Sequence, residues 1–214
     1  IEERTTSDGF PKNLLIENDS GRAEVLLKGS AVENLSLILR NGDIIKELRD
    51  EVDAYEYDLT IIGGSAKRSM SHDMIQYINS SIFVVNNFNK TINYKILLAV
   101  DDSPGTKKAV KYGVRVAQAF GIKVQIITVN EDDNSNEANK KSSENASKMM
   151  RRCGVESETK FEIGKPVDKI IEIAGEDHII IMGASTQSPI AKFFVGSKPL
   201  NVLQNSNCPI LIVK

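Results

Sequence analysis

In the second half of the chain, apolar runs recur at residues 94–100, 124–129, 159–163, 178–182 and 209–213. Each is short, rich in Val, Ile and Leu, and continuous rather than alternating, which suits strands of a parallel sheet covered on both faces. Between these runs the apolar positions fall at helical spacing. Ala109, Val110, Gly113, Val114, Ala117 and Phe120 share one face of a helix predicted from Thr106 to Phe120, with Ser103-Pro104 as its start signal and Gly121 as its stop signal. Val167, Ile170, Ile171 and Ala174 share a face over residues 166–174, and Leu200, Val202 and Leu203 begin another helix after Ser197. Residues 131–148 are almost wholly polar and read as a solvated entry into a helix ending near Gly154. Strands alternating with helices imply βαβ units, right-handed crossovers and a doubly wound, three-layer α/β/α architecture.

The first half repeats this pattern in shortened form. Residues 12–20 (KNLLIENDS) align without a gap with 95–103 (KILLAVDDS), and 34–41 (NLSLILRN) with 123–130 (KVQIITVN). Residues 43–48 (DIIKEL) align with 168–173 (DKIIEI), 58–64 (DLTIIGG) with 177–183 (DHIIIMG), and Ser81–Val85 with Pro209–Val213. Agreement in the same order predicts two doubly wound parallel-sheet domains: a truncated, four-stranded one at residues 1–90 and a five-stranded one at residues 94–214, joined by an Asn-rich linker.

Composition narrows the function classes. A formal charge of −2 over 214 residues provides no basic field for nucleic acid, and no run approaches the length of a membrane span. No signal-peptide pattern opens the chain, and two cysteines in unrelated contexts point to a reducing, cytoplasmic compartment. His72 and His178 have no second ligand at zinc spacing, and neither a Ser-His-Asp arrangement nor a Gly-Lys-Ser/Thr phosphate loop is present. The chain begins at Ile1 rather than Met, as a fragment of a longer protein would.

The chemistry concentrates at Gly183-Ala-Ser-Thr186, followed after nine residues by Gly196-Ser197. This stretch leaves a strand and enters a helix, the place where open α/β sheets bind ligands. Glycines there let backbone N–H groups face phosphate oxygens, and Ser197 at a helix start adds a hydroxyl and the favourable end of the helix dipole. Asp101 ends the first strand of this half, where its carboxylate can accept from ribose hydroxyls or adenine. Capping of the next helix by Asp101 or Ser103 is the simpler reading, and both hold together if Asp101 faces the ligand while Ser103 caps. Val129 ends the second strand, its backbone in reach of an adenine edge, with plain core an equal reading. Asp101-Asp102 offers two carboxylates for Mg2+ beside bound phosphates; a solvated turn explains Asp102 as well and is preferred.

Residues 94–214 resemble a universal stress protein domain, whose hallmark is Gly-x2-Gly-x9-Gly-Ser/Thr with an aspartate ending the first strand. Gly183, Gly196, Ser197 and Asp101 match, Thr186 stands at the second glycine, and the similarity runs on through MGASTQSPIAKFFVGSKPLNVLQNSNCPILIV. The whole chain resembles a tandem member. The resemblance implies an adenine nucleotide alpha hydrolase-like fold, ATP or AMP held by Asp101, Val129, Gly183, Thr186, Gly196 and Ser197, at most slow ATP hydrolysis, and a regulatory role in stress response. In the first half Asn18 replaces the strand-end aspartate, the loop after Gly64 is short and no Gly-Ser precedes residues 71–80, so its anion site is read as lost. The family also pairs its last strand antiparallel across a two-fold axis. Ser81–Val85 and Pro209–Val213 are therefore expected to pair within the chain as a pseudo-dimer, with homodimerisation of two chains beyond that. Two alternatives stay open: an interaction module that binds no nucleotide, and the cytoplasmic regulatory tail of a membrane transporter.

Overall fold

The computed structural model of this chain describes residues 41–63, 68–86, 93–132, 137–184 and 197–214, with the side chains of 68–72 and of Ser197 outside the description. The chain divides into two units, Ile1–Asp50 and Glu51–Lys214. The described part of the first unit is the beginning of helix α1, Ile44–Tyr55. Asp43 starts it: its Oδ1 accepts from the Lys46 backbone N–H at 2.9 Å, and Lys46 Nζ reaches Asp50 one turn on at 2.9 Å.

The second unit is built on a mostly parallel sheet. Its elements after α1 are β1 (Leu59–Gly63), α2 (Arg68–Tyr77), β2 (Ser81–Val85), β3 (Lys95–Ala99), α3 (Pro104–Phe120), β4 (Val124–Asn130), α4 (Glu137–Arg152), β5 (Ser157–Ile163), α5 (Pro166–Ala174), β6 (His178–Gly183), α6 (Ser197–Asn205) and β7 (Ile210–Val213). The spatial order is β1-β2-β7-β6-β3-β4-β5. Every neighbouring pair is parallel except β2 and β7, which run antiparallel with Ile82 opposite Ile212, Phe83 opposite Leu211 and Val84 opposite Ile210. The described strands therefore form one continuous sheet, joined through the antiparallel β2–β7 pair. The β2 and β7 edges, both apolar, protect each other from pairing elsewhere.

Helices α3 and α4 cover one face. Ile96, Leu98, Val100, Val124, Ile126, Ile181, Leu211 and Val213 from the sheet meet Ala109, Val110, Val114, Ala117, Ala146 and Met150 in one buried cluster. Each fully buried Ile, Leu or Val contributes about 1.5–3 kcal/mol. The chemistry of the ends sets the helix bounds. Pro104 and Pro166 occupy first-turn positions whose N–H would be unpaired, and Gly121 closes α3 in the left-handed region at φ 65° with its N–H on the Ala117 carbonyl.

The polar stretch at residues 131–148 departs from its expectation. From Glu137 onward it is regular helix α4, and its sheet-facing side buries Asn139, Ser143, Ala146 and Met150. Hydrophobic periodicity misses it because half of that buried face is polar. Of the segments aligned between the two halves, α1, β1 and β2 repeat the element types of α5, β6 and β7 in order, while residues 12–20 and 34–40 lie outside the described residues.

Candidate functional site

The parallel strands β3, β4 and β6 end together. Leu98 lies opposite Ile181 and Ala99 opposite Ile127, so the residues that follow, Asp101, Val129, Asn130 and Gly183, converge on one rim of the sheet. Val100 N–H still bonds the Ile127 carbonyl at 2.9 Å, which carries the β3 register to the residue before Asp101.

Asp101 is held by its neighbours. Its Oδ1 accepts from the Ser103 backbone N–H at 3.1 Å, the Ser103 hydroxyl at 2.5 Å and the Thr106 hydroxyl at 2.7 Å, while its own N–H donates to Thr106 Oγ1 at 3.2 Å. Thr106 is buried in the first turn of α3. One carboxylate oxygen is thus committed to fixing the strand-to-helix turn, and Oδ2 has no hydrogen-bond partner among the described residues. This corrects the role expected of Ser103. It occupies the N-cap position with extended backbone but makes no side-chain cap bond, because its hydroxyl turns back to Asp101. The Asp102 side chain is exposed, as a solvated turn requires, yet its N–H donates to Asn139 Oδ1 at 2.9 Å, and Asn139 Nδ2 donates to Asn130 Oδ1 at 2.9 Å. Strand β4 runs one residue past Val129, which is half-buried, to Asn130.

Gly183 closes β6, and the reason for a glycine here is steric. A Cβ built on Gly183 would lie 2.4 Å from the Gly105 carbonyl carbon and 2.7 Å from its oxygen. Ala184 N–H then bonds the Val213 carbonyl at 2.7 Å, tying the start of the following loop to β7. Thr186, Gly196 and the Ser197 side chain lie outside the described residues; Ser197 is the first residue of α6. Gly105, Thr106, Asn130 and Asn139 were not singled out in the sequence. A glycine directly after a helix-starting proline was the available signal for Gly105, since glycine is a poor helix former.

Asp101 suits Mg2+ poorly, because three donors already point at its Oδ1. Among the described residues no group of three or more His, Cys, Asp or Glu side chains is arranged to hold a metal. At the opposite, N-terminal end of β6, His178 Nδ1 faces both the Ala174 carbonyl at 2.9 Å and Asp177 Oδ1 at 2.7 Å, two acceptors that require the proton on that nitrogen. The Lys95 ammonium at 3.0 Å, and then His178, hold the Asp177 carboxyl below its usual range. Cys208 lies close by, but burial pushes its thiol up and it donates to the Gly175 carbonyl at 3.1 Å, which makes it a packed thiol rather than a nucleophile. No helix among the described residues is long and apolar enough to cross a membrane.

Comparison with known proteins agrees with this fold. A universal stress protein from Archaeoglobus fulgidus has the same fold, with a TM-score of 0.63 at 19% identity over 82% of this chain and 67% of that one. Another from the same organism gives a TM-score of 0.51 at 26% identity, covering 57% of this chain and all of its own. A universal stress protein of Methanocaldococcus jannaschii is 25% identical over 138 residues, 56% of this chain and 81% of its own length. Residues 93–214, more than half of the sequence, match the universal stress protein family, and the chain belongs to that family.

Proposed function

We propose that residues 93–214 hold an adenine nucleotide, ATP or AMP, at the rim formed by β3, β4 and β6, and that the protein is a cytoplasmic stress-response regulator which reads occupancy rather than consuming the ligand. The observation that carries this reading is the state of Asp101. Three donors fix its Oδ1, which leaves Oδ2 pre-oriented at a strand end on the same rim as Val129. A carboxylate locked in this way accepts from ribose hydroxyls or the adenine amino group without losing rotamer entropy on binding. Gly183 leads from the same rim into the Gly-Ser loop, so Thr186, Gly196 and Ser197 are the proposed phosphate contacts. Any Mg2+ would be held by the phosphates rather than by Asp101. Membership of the universal stress protein family supports at most slow ATP hydrolysis.

The antiparallel β2–β7 seam, and the order of element types shared by the two halves, support a tandem protein whose halves pair as an internal pseudo-dimer. Homodimerisation of two chains would then use other surfaces.

The test is extraction of the purified protein for adenine nucleotides, then calorimetric titration with AMP and ATP on wild type and Gly196→Val. Binding by wild type and its loss in the variant are expected. If no nucleotide co-purifies and neither titration gives heat, the reading is wrong. The alternative, an interaction module without a nucleotide, then stands, favoured by Thr186 at a position where the family has glycine.

A further inference from the structure

Helix α4 packs lengthwise on β4, and the contact changes character from one end to the other. Toward its C-terminal end Ala146 and Met150 join the apolar cluster with Val124 and Ile126. Toward the rim the same helix face presents Ser143 and Asn139, and the same strand face continues to Thr128 and Asn130. Asn139 is 8% exposed, and its side-chain amide bridges two backbone segments that end at the rim: it accepts from Asp102 N–H and donates to Asn130 Oδ1, each at 2.9 Å. The hydroxyls of Thr128 and Ser143, residues 1% and 0% exposed, have no hydrogen-bond partner among the described residues. Buried polar groups weaken an interface that apolar ones would strengthen, and a buried amide with two well-formed bonds to the rim is the feature that sets the position of this end of α4.

We infer that Asn139 is a positioning residue for the nucleotide site, and that occupancy of the site is transmitted through it to the N-terminal half of α4. The inference rests on the adenine-nucleotide reading above. Asp102 is the neighbour of Asp101 and Asn130 the neighbour of Val129, so the two proposed base and ribose contacts each sit one residue from an anchor of the same amide. A nucleotide that immobilises Asp101 and the Val129 backbone immobilises both anchors, and with them the N-terminal half of α4. The far half, seated on Ala146 and Met150, already has an apolar footing that does not depend on the ligand. Such coupling is reciprocal: whatever a partner does to the N-terminal half of α4 alters nucleotide affinity by the same factor.

Hydrogen exchange of the full chain, read by peptide with and without saturating AMP, tests this together with AMP affinities. Exchange should slow selectively over residues 137–143 in wild type, with little change over 146–152. Asn139→Ala should weaken AMP binding by about tenfold, the equivalent of one net hydrogen bond, and abolish that selective protection. Asn130→Ala, which removes one of the two Asn139 bonds, should weaken binding by no more than Asn139→Ala does, and the double variant should be no worse than Asn139→Ala, because the Asn130 bond is already gone in it. Ala146→Gly, which loosens α4 away from the rim, should keep wild-type affinity. If wild type binds AMP but α4 exchange is unchanged, the inference fails and the nucleotide reading survives. It fails equally if Asn139→Ala binds as wild type does, if the Asn130 and Asn139 effects add, or if Ala146→Gly loses as much affinity. If wild type binds no AMP at all, both readings fall.

Discussion

Gly105, in the first turn of α3, and Gly183, the last residue of β6, meet backbone to backbone, so closely that a methyl group on either has no room. A Cβ on Gly183 would sit 2.8 Å from the Gly105 Cα, and one on Gly105 would sit 2.9 Å from the Ala184 carbonyl oxygen. Neither glycine has a positive φ, so the requirement is one of space rather than backbone conformation. This contact sets how far the start of α3, which carries Thr106 and its bond to Asp101, stands from the strand that opens the Gly-Ser loop.

Gly183→Ala is therefore expected to destabilise the fold by about 1–3 kcal/mol, because the atoms in its way are backbone and cannot rotate aside. Gly105→Ala should cost less, since its nearest clash is wider and alanine regains about 1 kcal/mol of helix propensity. Urea unfolding monitored by circular dichroism measures both. A Gly183→Ala protein as stable as wild type would mean that the two segments separate freely.

Asp101 supports a second prediction, in which fold and binding respond differently. Asp101→Ala leaves the Ser103 and Thr106 donors without their acceptor and should cost about 2 kcal/mol of stability, along with nucleotide binding. Asp101→Asn keeps an acceptor at Oδ1 but loses the charge. It should cost less than about 1 kcal/mol while weakening AMP by at least about tenfold, because the Oδ2 acceptor that faces the ligand becomes an Nδ2 donor. Calorimetry beside urea unfolding separates the two effects. If the asparagine variant binds AMP as wild type does, Oδ2 does not contact the ligand.

How much of this was legible in the residues depends on which part is considered. Helix α5 falls on residues 166–174 as expected, because Pro166 and Gly175 mark its ends and its apolar positions keep a clean period. The strands were legible because sheet burial on both faces writes continuous apolar runs. Helix α4 was legible only as a helix end near Gly154, since its rim half buries Asn139 and Ser143, residues that count as solvated in any periodicity. At the rim, Asp101 and Gly183 stand at the strand ends where they were expected, but the steric reason for Gly183 was not visible in the sequence. Gly183 answers to Gly105, 78 residues earlier, and Asn139 answers to Asp102 and Asn130; such partners are tertiary facts that no local window contains.

Lys214 gives a prediction in pH. Its backbone N–H bonds Ser81 Oγ at 3.3 Å, its Nζ donates to the Ile78 carbonyl, and burial lowers its pKa from 10.5 to about 8. The Nζ lies in a cavity of about 530 Å3 whose other charged lining groups are Asp53, Glu56, Asp58 and Lys108. Because the folded state disfavours the charged amine, the unfolded chain binds more protons between pH 8 and 10.5, and stability from this group rises across that window. Below pH 8 its penalty is constant. The stability of wild type relative to Lys214→Met should therefore be flat from pH 6 to about 8 and climb toward pH 10. Parallel urea titrations of the two proteins test it; two curves of identical shape would place the amine in water.

The antiparallel seam between β2 and β7 makes a prediction about assembly. Phe83 and Leu211 are directly opposed, and such cross-strand pairs have Cβ atoms about 4.5–5.5 Å apart, close to what a disulfide accepts. Phe83→Cys with Leu211→Cys, in a Cys153→Ser background that removes the more accessible native thiol, should oxidise within one chain. On a non-reducing gel the product should run as a monomer of altered mobility at every protein concentration. The cross-link should also raise the urea midpoint, since it closes a loop of more than a hundred residues, worth about 4–5 kcal/mol in the chain-entropy account. A covalent dimer forming in preference would mean that these strands pair between chains, and that the internal pseudo-dimer is the wrong assembly.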